Sequence, residues 1–315
     1  MHLSRCFLMS LVLCSVASAV HSVQPLTPEL AQFVHVRDFT AYQQEAYFSA
    51  QDITEQRSVL VKATFENGQW GQFKKLPMSG RYRDIEPFIS PDGLKLYFAS
   101  NRPVTGTEKS DHYDIWYLQR TDHSAAWSAP VHLPGPVNTE HNEFYPAVTA
   151  NNNLYFTSDR DKKTRKDDIY ISRWHEGQYQ PAEVLSDNIN SPGYEFNAFV
   201  AADESFLIYT VYGAEDGLGS GDLYISFRQD NGQFSPRINL GPGINSDKMD
   251  YCPFYDSSKG HLVWTSRRTA VGDAVFGDLS SFIKATRQYE NGQSRLYISP
   301  FEPRQNNMTI NTVTK

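Results

Sequence analysis

The chain has 315 residues, of which 40% are hydrophobic and 13% aromatic, and its formal net charge is -7. That is room for one large all-β domain or two small ones, with enough flat, rigid side chains to fill the seams between small modules. No basic stripe occurs, so nucleic acid and anionic membrane are poor partners on electrostatic grounds.

Residues 1–19 read as a secretory leader. Arg5 supplies the positive start, residues 7–16 are apolar, and Ala17-Ser18-Ala19 is a small-residue cleavage site. The apolar run is too short to span a bilayer. Cys14 follows Leu13 rather than a small residue, which argues against a lipoprotein. Cleavage near Ala19 would leave a periplasmic or secreted chain, residues 20–315, with no transmembrane segment. It would also remove Cys6 and Cys14, so the mature protein is not a disulfide scaffold. The remaining Cys252 sits in YCPFY and is expected to pack as a small hydrophobe, with nothing near it to lower its pKa.

From about residue 31 the sequence repeats with a period of about 55 residues, the mark of a propeller when each unit is made of short strands. LYFASNR from Leu96, LYFTSDR from Leu154, LIYTVYG from Leu207 and LVWTSRR from Leu262 are the clearest copies, with a fainter AYFSAQD from Ala46. Each precedes a second apolar run, such as DIWYLQR from Asp114 or DIYISRW from Asp168. Blade two shows the whole unit: a short first strand at Glu86-Pro87-Phe88-Ile89-Ser90, a Pro91-Asp92-Gly93 turn, a second strand over 95–100, a third over 114–120, and an outer strand near Trp127. Outer-strand turns recur at Asn67-Gly68, Glu176-Gly177 and Asn231-Gly232. Links to the next blade recur at Val137-Asn138-Thr139, Ile189-Asn190-Ser191 and Ile244-Asn245-Ser246. The expectation is an all-β, five-bladed propeller of four-stranded antiparallel blades over about 31–80, 81–137, 138–190, 191–245 and 246–313. Thr27-Pro28-Glu29 could open a short helix with Thr27 as its cap. Blade one's first strand is weak, around 33–39. The fourth strand of blade five could come from residues 308–313 or from the N-terminal segment.

This pattern of short strand, PDG, LYF-x-S-[ND]-R, loop and D-[IL]-[WY] resembles the TolB-type propeller repeat of bacterial envelope proteins. The resemblance spans roughly residues 80–300. It implies an exported, non-catalytic binding module with a protein or glycan partner in the cell envelope. TolB itself has six blades and a separate N-terminal domain, for which this chain lacks room, so its partners do not carry over. Blade four departs from the pattern with Val211-Tyr212-Gly213, and blade five with Arg267-Arg268 and with Arg295 where an Asp is expected.

Asp84, Glu143, Glu195 and Asp250 open successive inner strands. That placement suggests a ring of acids at one mouth of the channel. With aromatics such as Tyr82, Tyr113, Tyr145, Tyr194 and Tyr251, such a ring would bind sugar or act as a glycosidase acid/base pair. Their repetition favours structure over catalysis, because each could instead accept backbone N–H groups once per blade. Arg102, Arg160 and Arg267 end second strands, while Asp114, Asp168 and Asp222 begin third strands. Bidentate pairs across the hairpin are expected to lock each blade.

Blade five carries an insertion over 269–292. Asp278 could cap a helix with Leu279, Phe282, Ile283 and Thr286 on one face, forming a lid or plug. Ser281-Phe282-Ile283-Lys284 matches the S-x-x-K of Ser–Lys hydrolases by chance, because no K-T-G follows. The Gly-rich stretch from Asp216 to Asp222 leads into a strand, so it is no phosphate cradle. Asp216 and Asp222 are weak Ca²⁺ ligand candidates. The histidines show no zinc spacing. The competing functions are therefore a non-catalytic binding module, a carbohydrate-binding or glycoside-processing protein, and a Ca²⁺-stabilised structural protein.

Overall fold

Alternating apolar runs punctuated by tight turns can bury both faces only by stacking against copies of themselves, and the chain does so. A computed structural model, described over residues 22–161 and 166–304, contains five four-stranded antiparallel sheets. The inner strands are His35–Tyr42, Asp84–Ile89, Glu143–Val148, Tyr194–Val200 and Asp250–Asp256. Each pairs with the next strand in sequence, and the order runs outward through the blade. The largest fully buried side chains, among them Trp264, Tyr47, Tyr97, Tyr155, Tyr209, Tyr224 and Tyr297, lie on second and third strands, where neighbouring blades stack. Among the described residues no helix is long and apolar enough to cross a membrane.

The turns follow from their residues. Gly93 takes φ +71° in the PDG turn, and Asp92 accepts from Ser90 Oγ and Leu94 N. Asn67 (φ +52°) and Gly68 (φ +83°) turn the outer hairpin of blade one.

The ring closes through its N-terminus. Gln24–Pro25 pairs antiparallel with Arg295–Pro300, becoming the outer strand of blade five. Residues 308–313, the other candidate, lie outside the described residues, as does the leader. Arg295 replaces the usual Asp because it bridges the seam, donating from Nη1 to the Val34 carbonyl at 2.6 Å. Val36 N to Ser294 O (3.0 Å) and Ser294 N to His35 Nδ1 (3.2 Å) complete the latch. Pro28–Gln32 is a 3-10 helix with Pro in its first turn, but Thr27 does not cap it; its hydroxyl bonds Glu29 instead.

The inter-blade links explain their own recurrence. In the link from blade three to blade four Asn190 Oδ1 accepts from Ile169 N (2.9 Å), while Nδ2 donates to the carbonyls of Ile169 and Leu185 at 3.0 Å. The amide thus acts as a stretch of backbone along the third strand. Asn138 and Asn245 repeat this on Ile115 and Leu223. The following Ser or Thr reaches forward to the next blade's first acid, as Ser191 Oγ does to Glu195 at 2.6 Å.

In blade five the insertion forms the helix Leu279–Thr286, with Asp278 Oδ1 accepting from Ser281 N at 2.7 Å. None of its residues is buried or lines one of the hollows described below, so it is neither lid nor plug over them, and Phe282 meets its own loop's Phe276 edge-on, with ring centroids 5.4 Å apart. Ser281, from the chance S-x-x-K match, is spent on this N-terminus.

Candidate functional site at the channel mouth

Every inner strand carries a β-bulge one turn below its start. At each bulge a non-glycine residue has positive φ: Asp38 (65°), Glu86 (59°), Tyr145 (44°), Asn197 (55°) and Cys252 (52°). A left-handed non-glycine costs roughly 1 kcal/mol, so five of them need a compensating bond. In three blades a second-strand hydroxyl of the preceding blade supplies it. Asp38 N donates to Thr265, Glu86 N to Ser49 and Asn197 N to Thr157, at 3.1 to 3.3 Å. Blade two has Ala99 at that position, so Tyr145 N–H turns to the Glu86 carboxylate at 2.8 Å. The bulge therefore brings five dissimilar side chains around the axis.

Arg37 ties this ring together. Its Nε donates to Asp38 Oδ1 at 2.6 Å, its Nη2 to Glu86 Oε1 at 2.8 Å, and Nη2 also approaches Cys252 Sγ at 3.5 Å. Asp38 Oδ2 accepts from Glu86 N at 3.2 Å. Tyr145 Oη reaches across to the Pro253 carbonyl at 3.1 Å. Below the ring the channel is closed by rings from four blades: Phe39 to Phe254 and Phe199 to Phe254 at 5.6 Å, and Phe88 to Phe199 at 6.4 Å.

Above the ring a hollow of about 260 Å³ opens at the starts of the inner strands. Two carboxylates line it, Glu86 and Asp167, with the guanidinium groups of Arg37, Arg83 and Arg267 and apolar walls from Phe144, Phe196, Met249 and Tyr251. Burial pushes the Glu86 carboxyl up to about 7, with the nearby Asp38 charge adding and Arg37 opposing. Burial likewise pushes the Cys252 thiol well up, so it is inert as a nucleophile. A larger hollow of about 590 Å³ lies at the opposite end, over Phe88, Phe199 and Phe254. It is lined mainly by aromatic, aliphatic and hydroxyl groups together with Asp203 and Asp256, and by no guanidinium.

The four repeated acids stand elsewhere. Asp84, Glu143, Glu195 and Asp250 are fully buried, and none lines the mouth. Each is consumed by its own framework: Asp84 by Ser79, Ser100 and Arg102, Glu143 by Thr139, Ser158 and Arg160, Glu195 by Ser191 and Arg237, and Asp250 by Ser246, Trp264 and Arg268. The residue after each acid faces the mouth instead: Ile85, Phe144, Phe196 and Tyr251.

The expected arginine pairing is also corrected. Arg102 and Arg160 bind the inner-strand acids Asp84 (2.6 Å) and Glu143 (3.0 Å), not Asp114 and Asp168 across the hairpin. In blade five the repeat position belongs to Arg268. Arg267 turns to Glu55 of blade one at 2.6 Å. Blade four lost its arginine with Val211-Tyr212-Gly213, and Arg237 of the outer segment substitutes. Asp114 accepts from His132 at 2.7 Å.

Asp222 takes backbone N–H groups of Leu218 and Gly219, and Asp216 takes the Tyr224 hydroxyl at 2.7 Å. Among the described residues no three His, Cys, Asp or Glu converge as metal ligands. The glycines serve close approach: a Cβ on Gly219 would stand 1.7 Å from the Lys248 carbonyl oxygen.

Of the aromatics named from the sequence, Tyr145 lies in the ring and Tyr251 in the mouth, where its hydroxyl meets Ser294 at 2.7 Å and its face takes Arg37 at 5.2 Å. Tyr113 and Tyr82 lie beside the mouth around Arg83 and Arg81, and Tyr194 stacks on Lys166. Sequence reasoning missed Arg37, Asp38, Glu86, Asp167 and Asn197. The signal was present: within an otherwise repeated strand, the position two after the acid changes from blade to blade.

No family model matches the sequence, and no sequence of a curated protein matches it. Solved structures do share the fold. The chain is similar to GH43B of the xyloglucan locus of Bacteroides ovatus (TM-score 0.53, 10% identity, covering 90% of this chain and 55% of that one). It is similar to the α-L-arabinofuranosidase of Podospora anserina in complex with cellotriose (TM-score 0.52, 12% identity, 89% and 95% covered). It is also similar to an endo-arabinase from Bacteroides thetaiotaomicron (TM-score 0.52, 11% identity, 86% and 95% covered). At these identities the likeness establishes the five-bladed propeller.

Proposed function

We propose that this protein handles carbohydrate at the channel mouth and cleaves a glycosidic bond there, with Glu86 as proton donor. The observation that carries the proposal is the Glu86 carboxyl, facing the hollow with its pKa raised to about 7. A general acid must be protonated at working pH, and burial is how a carboxyl is kept so. Asp167 shares the hollow and is the candidate for the second carboxylate that glycoside hydrolysis requires. Arg37 and Asp38 are positioning residues: they fix the Glu86 side chain and set its charge balance. Phe144, Phe196 and Tyr251 offer flat apolar surface to a sugar face. The fold neighbours named above, being an arabinofuranosidase, an endo-arabinase and a GH43 protein, support a sugar substrate.

Release of reducing ends from arabinan, arabinoxylan and acidic plant glycans tests this. Wild type should release them, and Glu86→Gln should lower the rate about 100-fold or more, the usual worth of a positioned acid, while still folding cooperatively. Saturable glycan binding without any turnover would leave a non-catalytic glycan-binding module, the reading first suggested by the repeat. Absence of both binding and turnover would overturn the carbohydrate assignment.

A further inference from the structure

The chain is acidic overall, yet one hollow on the mouth face is basic. About 470 Å³ in volume, it lies between blades one and two and is lined by Arg57, Arg81, Arg83 and Lys109 with Tyr82 and Gln56, and by no carboxylate. Elsewhere several arginines are matched to acids, Arg37, Arg102, Arg160 and Arg268 each having a carboxylate within 3.0 Å, while buried Arg295 donates to backbone carbonyls. Here, among the described residues, none of the four cations is in an ion pair. Arg83 spends Nη1 on the Tyr113 hydroxyl at 2.8 Å, and its buried Nε has no hydrogen-bond partner. Arg81 lies against its neighbour Tyr82, 5.3 Å from the ring centre. Four cations around a hollow that holds no carboxylate repel one another, and that repulsion is relieved when an anion binds.

Position connects this hollow to the chemistry. Arg83 lines both the basic hollow and the channel mouth, so the two form one track leading to Glu86. We infer that this track seats the anionic groups of an acidic glycan, so that the substrate is a sugar chain bearing uronate carboxylates or sulfate esters. Guanidinium groups match either anion with paired N–H donors, and tyrosine faces accept the rings between them. The inference rests on the carbohydrate reading above and specifies its substrate class. The basic hollow is of a size suited to one or two sugar units rather than to a nucleic-acid backbone.

The test is titration calorimetry of the whole protein with four probes: trigalacturonate, its methyl ester, and a short dextran with and without sulfation. An Arg57→Ser/Arg81→Ser double variant is run alongside, with melting recorded, since both side chains are exposed and their loss should leave the fold intact. Wild type should bind an acidic probe at least 10-fold more tightly than its neutral counterpart. The double variant should lose that preference, and raising NaCl from about 20 to 200 mM should weaken acidic binding alone. Whichever acidic probe binds identifies the anion as carboxylate or sulfate. Equal binding of charged and neutral probes, or a preference that survives in the double variant, overturns the inference and leaves the carbohydrate reading standing. Failure of these probes combined with binding of a neutral arabino-oligosaccharide does the same. Failure of every sugar overturns both.

Discussion

Glu86 is a conflicted residue, and its conflict can be measured. Its native carboxyl titrates near 7, mainly because it is buried, while in the unfolded chain it titrates near the ordinary 4.3. The folded state therefore holds the proton more tightly. Its stabilising share is complete below about pH 4, declines as pH rises, and is lost above about 7. Other buried acids titrate too; burial also raises the carboxyls of Glu143 and Asp222. The informative quantity is thus the difference between wild type and Glu86→Gln. Urea unfolding from pH 4 to 8 should show wild type losing stability relative to the variant as pH rises. Parallel curves would mean that the Glu86 carboxyl titrates normally.

At the scale of the blade, strength lies in the acid–arginine–hydroxyl knot and the asparagine link. Breaking a buried pair leaves a charge without compensation, typically at about 3–5 kcal/mol. Arg102→Ala should approach that range, because Asp84 is fully buried and Arg102 nearly so. Arg160 is more exposed, so Arg160→Ala should cost less, about 1–3 kcal/mol once solvent screening is allowed for. Both are read by chemical denaturation, and glycan binding should be retained. Asn190→Ala removes two bonds to Ile169 of the third strand and one to the Leu185 carbonyl, leaving the Ile169 N–H and the Leu185 carbonyl without these partners. A loss of about 2–3 kcal/mol is expected from the unmet groups. A change below about 0.5 kcal/mol would show that water replaces the amide. The repeat made these elements legible in the sequence: turns, strand order and the link all recur with their residues. The pairing partner did not follow, since Arg and Asp at the ends of a hairpin look matched in one dimension. Folding instead puts the arginine beside the inner-strand acid, which opposes it across the first hairpin, as Asp84 opposes Ser100.

At the scale of the molecule, the ring is held shut by one short N-terminal strand and by Arg295. Arg295→Ala should lower the melting temperature by several degrees, on the order of 2–4 °C per kcal/mol at this size, and should expose the seam between blades one and five to proteolysis before any other. Uniform cleavage across all blades would show that closure is not the weak point. The fold was legible because five imperfect copies average out local ambiguity. The proposed site was not, because its residues stand where the copies disagree. Repeated acids drew attention, and the structure buries them in hydrogen bonds to their own blades. Asp38, Glu86 and Asn197 carry no shared motif, and only the bulge, invisible in sequence, turns them to the axis. Blade two's Ala99 shows how subtle that dependence is: one missing hydroxyl redirects a backbone N–H onto Glu86.

The most direct measurement is a crystal structure of Glu86→Gln soaked with an oligosaccharide that the protein binds. The account predicts sugar in the roughly 260 Å³ hollow, a ring face against Phe144, Phe196 or Tyr251, and a glycosidic oxygen within hydrogen-bond distance of residue 86. Sugar lodged over Phe199 in the hollow at the opposite end, with the mouth empty, would contradict it.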